Sequence, residues 1–354
     1  RNILLRAGLG LAALATFALA ACGGSPAGGT TPASQQATPA APIPTTASIE
    51  VFFTGGDGQA ERLEAALVAA LDGARQSVDM AMYNFNLDSV GDALLEAHAR
   101  GVDVRIVTDS DALDGWWFDR FRAAQIGLQG DGREELMHNK FMIIDGREVW
   151  TGSLNLTQSG VDTDDNNFTR FISTEMASRY KTVFEAMFSG GEFGPKRSPA
   201  ADEPALDVVG VPVEVYFSPE DRPERVLVDL VREARKSVRV LAYSFTSDAL
   251  AEALRDQADA GLVVQGVFDE SQADGAGAEY APLRQSGLDA RLDGNTGLMH
   301  NKVLIIDDEI VALGSYNFTR AANQFNDENL VIIFDPRVAE LFRQTFERIY
   351  LAGQ

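Results

Sequence analysis

The sequence predicts an α/β fold built from two similar domains. Each is expected to be a mixed, mostly parallel sheet flanked by helices, the pair related by a pseudo-twofold axis with one site at their interface. Three observations lead there. Strand-length apolar runs alternate with helical patterns, which favours a largely parallel sheet covered on both faces. The alternation occurs twice: Ser77-Val78-Asp79-Met80-Ala81-Met82-Tyr83-Asn84-Phe85 is matched by Ser237-Val238-Arg239-Val240-Leu241-Ala242-Tyr243-Ser244-Phe245, an offset of 160 that still holds at Gly101/Gly261 and Asp109/Asp269. Finally, Met137-His138-Asn139-Lys140-Phe141-Met142-Ile143-Ile144-Asp145 returns as Met299-His300-Asn301-Lys302-Val303-Leu304-Ile305-Ile306-Asp307, now at an offset of 162. A pair of like domains sets equivalent loops face to face, a common place for a ligand pocket.

The 354 residues are 45% hydrophobic and 23% charged, ordinary values for a chain with a sizeable core. The net charge of -22 is less ordinary and leaves no global attraction for nucleic acid or anionic lipid, so phosphate binding needs a local basic site. A single cysteine excludes an internal disulfide framework. It falls at the end of an export-type leader. Arg1 and Arg6 precede an apolar run over 7–20, and Leu19-Ala20-Ala21-Cys22 closes it. That closing quartet resembles the lipobox of bacterial lipoproteins, which implies a signal peptide over 1–21, lipidation of Cys22, export and a lipid anchor at the cell envelope. Residues 22–48 are almost entirely Gly, Ser, Pro, Ala, Thr and Gln, the composition of a flexible tether.

The first domain is expected over 49–188. A strand over 49–54 leads to a helix marked by Leu63, Leu67, Ala70, Leu71 and Ala74, then a strand over 77–85, a helix over 87–100 and a strand over 102–108. Gly190, Gly191, Gly194, Pro195, Pro199 and Pro204 mark a linker over 189–211. The second domain, 212–354, repeats the plan with strands over 213–218, 237–245 and 262–268. Each domain closes on a helix, 175–188 and 337–351. Trp116-Trp117-Phe118 precedes the first motif; it reads either as a lipid- or substrate-contacting patch or, with Phe121, as one buried helix face. His98 borders an apolar helix face and has no counterpart in the second half.

The repeated stretch carries the chemistry. Two of the three histidines lie in it. The apolar runs 141–144 and 303–306 read as buried strands, on which His138 and Lys140 project together, as do His300 and Lys302, while Asn139 and Asn301 point away. Asp145 and Asp307 have the opposite parity and sit in turn sequences, so they read as structural residues capping the turn. Each motif leads to Gly152-Ser153-Leu154-Asn155 or Gly314-Ser315-Tyr316-Asn317, where Gly permits close backbone approach and Ser153, Asn155, Ser315 and Asn317 offer uncharged donors to a phosphate. Two lysines, two histidines and these amides around one space suit a tetrahedral anion, with lysine supplying the charge that a metal otherwise would; no metal or other cofactor is expected.

His-x-Lys-x4-Asp followed by Gly-Ser-x-Asn resembles the signature of the phospholipase D superfamily, and the chain carries both copies. The resemblance covers the chain from Ile49 onward. It implies two phospholipase D-like domains and a metal-independent phosphodiesterase working through a phosphohistidine: one histidine attacks phosphorus, the other protonates the leaving alcohol and then activates water. It also implies an acidic or amide residue about eleven positions beyond Gly-Ser-x-Asn that orients a histidine of the other half. Those positions hold Asn166 and Glu328, so Glu328 would orient His138 as nucleophile and Asn166 would face His300 as acid/base. The substrate stays open between two classes. A phospholipase D acting on phospholipid head groups is favoured by the implied anchor, with zwitterionic head groups suiting the acidic surface. The alternative is an endonuclease acting on extracytoplasmic DNA or RNA. No obligate protein partner is expected, since one chain already holds both motifs.

Overall fold

The computed structural model describes residues 49–56, 58–198 and 204–354. Cys22, the leader and the tether lie outside the described residues. In the first half the elements run β1 (Ile49–Phe53), α1 (Gln59–Gly73), β2 (Ser77–Met82), α2 (Asp88–Ala99), β3 (Asp103–Thr108), α3 (Trp116–Ala123), β4 (Gly127–Gly130), β5 (Lys140–Ile144), β6 (Glu148–Gly152), α4 (Gln158–Asp162), β7 (Asn167–Ile172) and α5 (Thr174–Phe188). The second half follows with β8 (Ala205–Asp207), β9 (Pro212–Ser218), α6 (Pro223–Arg232), β10 (Ser237–Ala242), α7 (Asp248–Asp259), β11 (Val263–Phe268), α8 (Tyr280–Gln285), β12 (Asp289–Leu292), β13 (Lys302–Ile306), β14 (Ile310–Gly314), α9 (Arg320–Gln324), β15 (Glu328–Phe334) and α10 (Pro336–Ala352).

Two mixed sheets result. The first has the order β1-β7-β6-β5-β2-β3-β4, and the second has β12-β11-β10-β13-β14-β15-β9-β8. Helices flank both, as the alternation requires. The expectation of mostly parallel sheets is corrected. Only β2-β3-β4 and β10-β11-β12 run parallel, and the remaining pairs are antiparallel. The cause is local. At Asp145 and Gly146, φ is 52° and 60°, and at Asp307 and Asp308 it is 56° and 60°. These left-handed turns fold β5 back on β6 and β13 back on β14 as hairpins, whereas a parallel neighbour needs a longer crossover.

One apolar cluster joins the halves. It takes Phe141, Ile143 and Val149 from the first sheet and Val303, Ile305 and Val311 from the second, together with the closing helices α5 and α10. Each closing helix packs across onto the other half. Tyr180 of α5 lies edge-on to Phe141 at 4.9 Å and to Phe217 of β9 at 5.0 Å, and Phe342 of α10 lies edge-on to Phe53 of β1 at 5.0 Å. Such aromatic pairs each add about 0.5–1.5 kcal/mol beyond their buried area. Separate apolar clusters under α1–α3 and under α6–α7 back the outer faces. The connection between the halves also does more than link them, because β8 adds an edge strand to the second sheet through its pairing with β9.

Candidate active site

Both motifs lie at the seam between the sheets. The strands start at Lys140 and Lys302, so each histidine sits just ahead of its strand. There the backbone pairs across the seam in two short parallel bridges, Met137 with Asp327 and Asp165 with Met299. His138 N–H donates to the Asp327 carbonyl at 3.0 Å, and His300 N–H to the Asp165 carbonyl at 2.9 Å. The residue after each aspartate therefore reaches the histidine of the opposite half. Nδ1 of His138 lies 2.7 Å from Glu328 Oε2, and Nδ1 of His300 lies 2.9 Å from Asn166 Oδ1.

The second contact has a fixed donor. Asn166 Nδ2 donates to the Gly160 carbonyl at 3.0 Å and its Oδ1 accepts the Ser153 hydroxyl at 2.9 Å, which settles the amide orientation. His300 Nδ1 must then carry the hydrogen, leaving Nε2 for chemistry. Nδ1 of His138 is likewise occupied by Glu328, so its Nε2 is also the ring nitrogen left over.

The two lysines are fully buried, and each donates to its own histidine carbonyl, at 2.9 Å for Lys140 and 2.7 Å for Lys302. Burial drives the electrostatics. It holds both imidazoles well below the usual histidine range, and the two lysine charges add to that effect. It lowers Lys140 to about 7, against the pull of Glu328, and lowers Lys302 well below the lysine range with Lys140 adding to the shift. It raises Glu328 to about 8, against the pull of Lys140. A pocket whose cations are all held neutral-leaning by burial and mutual repulsion is one that an anion completes.

The Gly-Ser-x-Asn residues divide. A Cβ on Gly152 would stand 2.3 Å from the Asn167 carbonyl, and one on Gly314 would stand 2.2 Å from that of Asn329, so close backbone approach does require glycine here. Asn155 and Asn317 are half-buried, and their Oδ1 atoms have no hydrogen-bond partner. Ser153 and Ser315 differ from expectation: both are fully buried, and their hydroxyls accept the Asn167 and Asn329 N–H groups at 3.1 and 3.0 Å. They brace the starts of β7 and β15, where Asn166 and Glu328 stand, and do not open toward the mouth. Asp145 and Asp307 are structural, but they cap a different segment from the one expected. Asp145 accepts the N–H groups of Arg75, Gln76 and Ser77, and Asp307 those of Arg235, Lys236 and Ser237, pinning each hairpin to the start of a neighbouring strand. Burial opposes charge on both, yet the three N–H donors hold their carboxyls below the usual range.

Other residues reach the site without having been singled out. Asn329 Nδ2 donates to Asn139 Oδ1 at 3.1 Å and Asn167 Nδ2 to Asn301 Oδ1 at 2.8 Å, stitching the motifs across the seam on the side away from the histidines. Tyr83 and Tyr243 pack their rings 4.8 and 4.7 Å from the imidazoles of His138 and His300. Asp327 is held by Arg133, by Gly194 N–H at 2.9 Å and by Arg197 at 3.2 Å, and Asp165 by Arg348 at 2.6 Å. The duplication itself signals the asparagines and tyrosines, since each pair keeps the repeat offset. Asp109 and Asp269 accept the N–H groups of Met137 and Met299 at 3.1 and 2.9 Å, steadying the approach to each motif. Trp117, Phe118 and Phe121 form a buried helix face, whereas Trp116 is 62% exposed. His98 is half-buried on α2, remote from these contacts.

A family model described as "Cardiolipin synthase, PLD-like domain" matches residues 67–188 and again 227–350. The chain belongs to the phospholipase D superfamily. Among curated relatives, the chain is 32% identical to the mitochondrial cardiolipin hydrolase of Xenopus tropicalis over 126 residues, 36% of this chain and 60% of that protein. It is 31% identical to the phospholipase D of Rickettsia bellii over 134 residues, 38% of this chain and 67% of that one. The chain thus spans about 60% of the length of the first of these relatives. Among solved structures, the phosphatidylserine synthase of Haemophilus influenzae superposes with a TM-score of 0.67 at 14% identity, covering 86% of each chain, so the paired phospholipase D-like fold is shared along nearly the whole length.

Proposed function

We propose that the chain is a phosphodiesterase of the phospholipase D type that removes head groups from phospholipids through a phosphohistidine intermediate. One observation carries this: two histidines meet at a single seam, each oriented by the opposite half, but by unlike groups, a carboxyl for His138 and an amide for His300. A carboxylate strengthens an imidazole as a nucleophile and stabilises the cation formed when it is phosphorylated, whereas an amide only orients.

His138 Nε2 attacks phosphorus, and the bond to the head-group oxygen breaks. A proton on His300 Nε2 passes to that oxygen, releasing the alcohol. Water then attacks the phosphohistidine as neutral His300 takes its proton; the P–N bond breaks, and phosphatidic acid leaves. The bound phosphodiester supplies the negative charge that lets Lys140 and Lys302 hold their protons, and it raises His300 enough to act as the acid. Lysine charge thus takes the part a metal plays elsewhere. Asn155 and Asn317, with unpartnered amide oxygens, offer their Nδ2 groups to the phosphate.

Lipid is favoured as substrate by the names of the relatives, by the export and anchoring through Cys22 that the leader implies, and by a charge of -22 that opposes unspecific nucleic-acid binding. The test incubates the chain with vesicles of phosphatidylcholine, phosphatidylethanolamine or cardiolipin and with single-stranded DNA, in EDTA with a primary alcohol. Head-group release with formation of the phosphatidyl-alcohol is the expected result. DNA cleavage without lipid turnover would replace lipid by nucleic acid, and loss of all activity in EDTA would overturn the lysine-based mechanism. Mass spectrometry of the N-terminal peptide from a bacterial host tests the anchor, with diacylglyceryl-Cys22 expected.

A further inference from the structure

We propose that Tyr83 and Tyr243 are positioning residues of this site, each using the face of its ring to hold a lysine charge and a histidine ring ready for a phosphodiester. This rests on the phosphodiesterase reading above.

Each tyrosine follows the last residue of a strand, β2 or β10. Its own N–H donates to the carbonyl of the motif asparagine, Tyr83 to Asn139 at 3.1 Å and Tyr243 to Asn301 at 3.0 Å. The rings are therefore locked by backbone to the stretch they serve. Tyr83 meets the His138 ring at 4.8 Å with a 60° tilt, and Tyr243 meets His300 at 4.7 Å and 66°. The same rings lie under the lysines, with Lys140 Nζ 5.1 Å from the Tyr83 centroid and Lys302 Nζ 4.7 Å from that of Tyr243. Both distances fall within the range of a cation–π contact.

The lysine inventory gives these contacts their significance. A lysine ammonium has three donors. One goes to the histidine carbonyl of its own motif, and among the described residues neither ammonium forms an ion pair with a carboxylate. A carboxylate partner would stabilise the charge but would also neutralise it and compete with phosphate. An aromatic face stabilises the cation while leaving its charge and its remaining N–H groups uncommitted. Because the ring also fixes the imidazole plane, one side chain sets nucleophile and cation in register. The phenol oxygens take no part in either contact, so phenylalanine should serve as well as tyrosine.

The test replaces Tyr83 and Tyr243 singly by Phe and by Leu in the full chain, then by 4-fluoro- and 3,4,5-trifluorophenylalanine, which keep the ring's shape and weaken its face stepwise. Binding of inorganic phosphate is followed between pH 6 and 9. The Phe variants should bind like the parent. The Leu variants should bind about tenfold more weakly, the alkaline limit of binding should move to lower pH, and affinity should fall stepwise with fluorination. A flat fluorine series, or Leu variants of unaltered melting temperature with the parent's pH limit, would overturn the role of the ring. Phe variants as damaged as Leu would assign the effect to the hydroxyl and overturn it too. If the Leu variants do not fold, the fluorine series decides alone. A parent chain that folds but binds no phosphate would sink both this role and the phosphodiesterase reading, whereas a flat series in a phosphate-binding parent sinks the ring role only.

Discussion

Replacing Glu328 by Gln isolates the charge behind His138, the proposed nucleophile. The amide keeps the shape of the side chain and an oxygen able to accept from His138 Nδ1, which is the service Asn166 performs for His300 at 2.9 Å. What is lost is the negative charge, 2.7 Å from the imidazole, that Glu328 takes on once bound substrate keeps Lys140 and Lys302 protonated; in the free site burial holds its carboxyl up at about 8. A hydrogen bond to a charged partner contributes about 1.5–3 kcal/mol against about 0.5–1.5 for a neutral one, so the loss taken between the middles of these ranges is about 1.3 kcal/mol. The upper bound is the attraction between carboxylate and phosphorylated imidazolium, about 4 kcal/mol for unit charges roughly 4 Å apart at an effective dielectric constant of about 20. At about 1.4 kcal/mol per decade, kcat should fall between about tenfold and a thousandfold. KM should hardly move, because the imidazole becomes positive only after binding. The assay compares a phosphodiester with an alkyl alcohol leaving group against one with p-nitrophenol, which departs without a proton. Glu328→Gln should lose the same factor on both, whereas Asn166→Ala should lose mainly on the alkyl substrate. A loss below threefold on both substrates, or quench-trapped phosphate found on His300 instead of His138, would refute the assignment of roles.

The same variant should change how stability depends on pH. Burial raises Glu328 to about 8 from an ordinary 4.5, so the folded state holds a proton that the unfolded state has lost between those values, and stability falls as pH rises through that window. Lys140, lowered to about 7 from 10.5, acts above pH 7 with the opposite sign. Calorimetry from pH 5 to pH 7 should therefore show the melting temperature of the parent falling relative to that of Glu328→Gln; parallel curves would count against it. Asp145→Ala removes the acceptor of the Arg75, Gln76 and Ser77 N–H groups and should cost about 1–3 kcal/mol by urea unfolding, with KM and the pH profile unchanged. Gly152→Ala drives a methyl to 2.3 Å from the Asn167 carbonyl. It should cost about 1–3 kcal/mol as overpacking and lower kcat as well, since the displaced strand begins right after Asn166; unaltered kcat would show that the seam tolerates the shift.

Much of this site was legible because the chain repeats itself. The offsets aligned Tyr83 with Tyr243 and His138 with His300, and the resemblance to the phospholipase D superfamily implied Glu328 and Asn166, which the seam does bring to His138 and His300. The sheet direction was not legible, because apolar runs such as 141–144 look alike in parallel and antiparallel neighbours. The turn at Asp145-Gly146 was legible, and its positive φ angles show that it folds β5 back on β6 as a hairpin. The burial of Ser153 and Ser315 was hidden for a related reason. A hydroxyl can turn toward a ligand or toward a neighbouring N–H group, and the choice depends on how closely β7 and β15 approach. The clamps on Asp327 and Asp165 could not be read at all, because Arg197 and Arg348 come from the inter-half connection and the last helix, far away in sequence.

The reciprocal seam has the form of an isologous dimer interface, in which every contact is made twice, once in each direction. Two identical subunits meeting in this way would be bound to symmetry: a carboxylate behind one histidine would mean a carboxylate behind both, and any substitution would strike two places at once. Covalent fusion lifts that constraint. Because the partners are successive segments of one polypeptide, position 166 and position 328 can hold different residues while the backbone bridges on either side stay equivalent. The tandem arrangement thus lets a symmetric scaffold become a directional one, which on the proposed mechanism gives one side to phosphorus and the other to the proton.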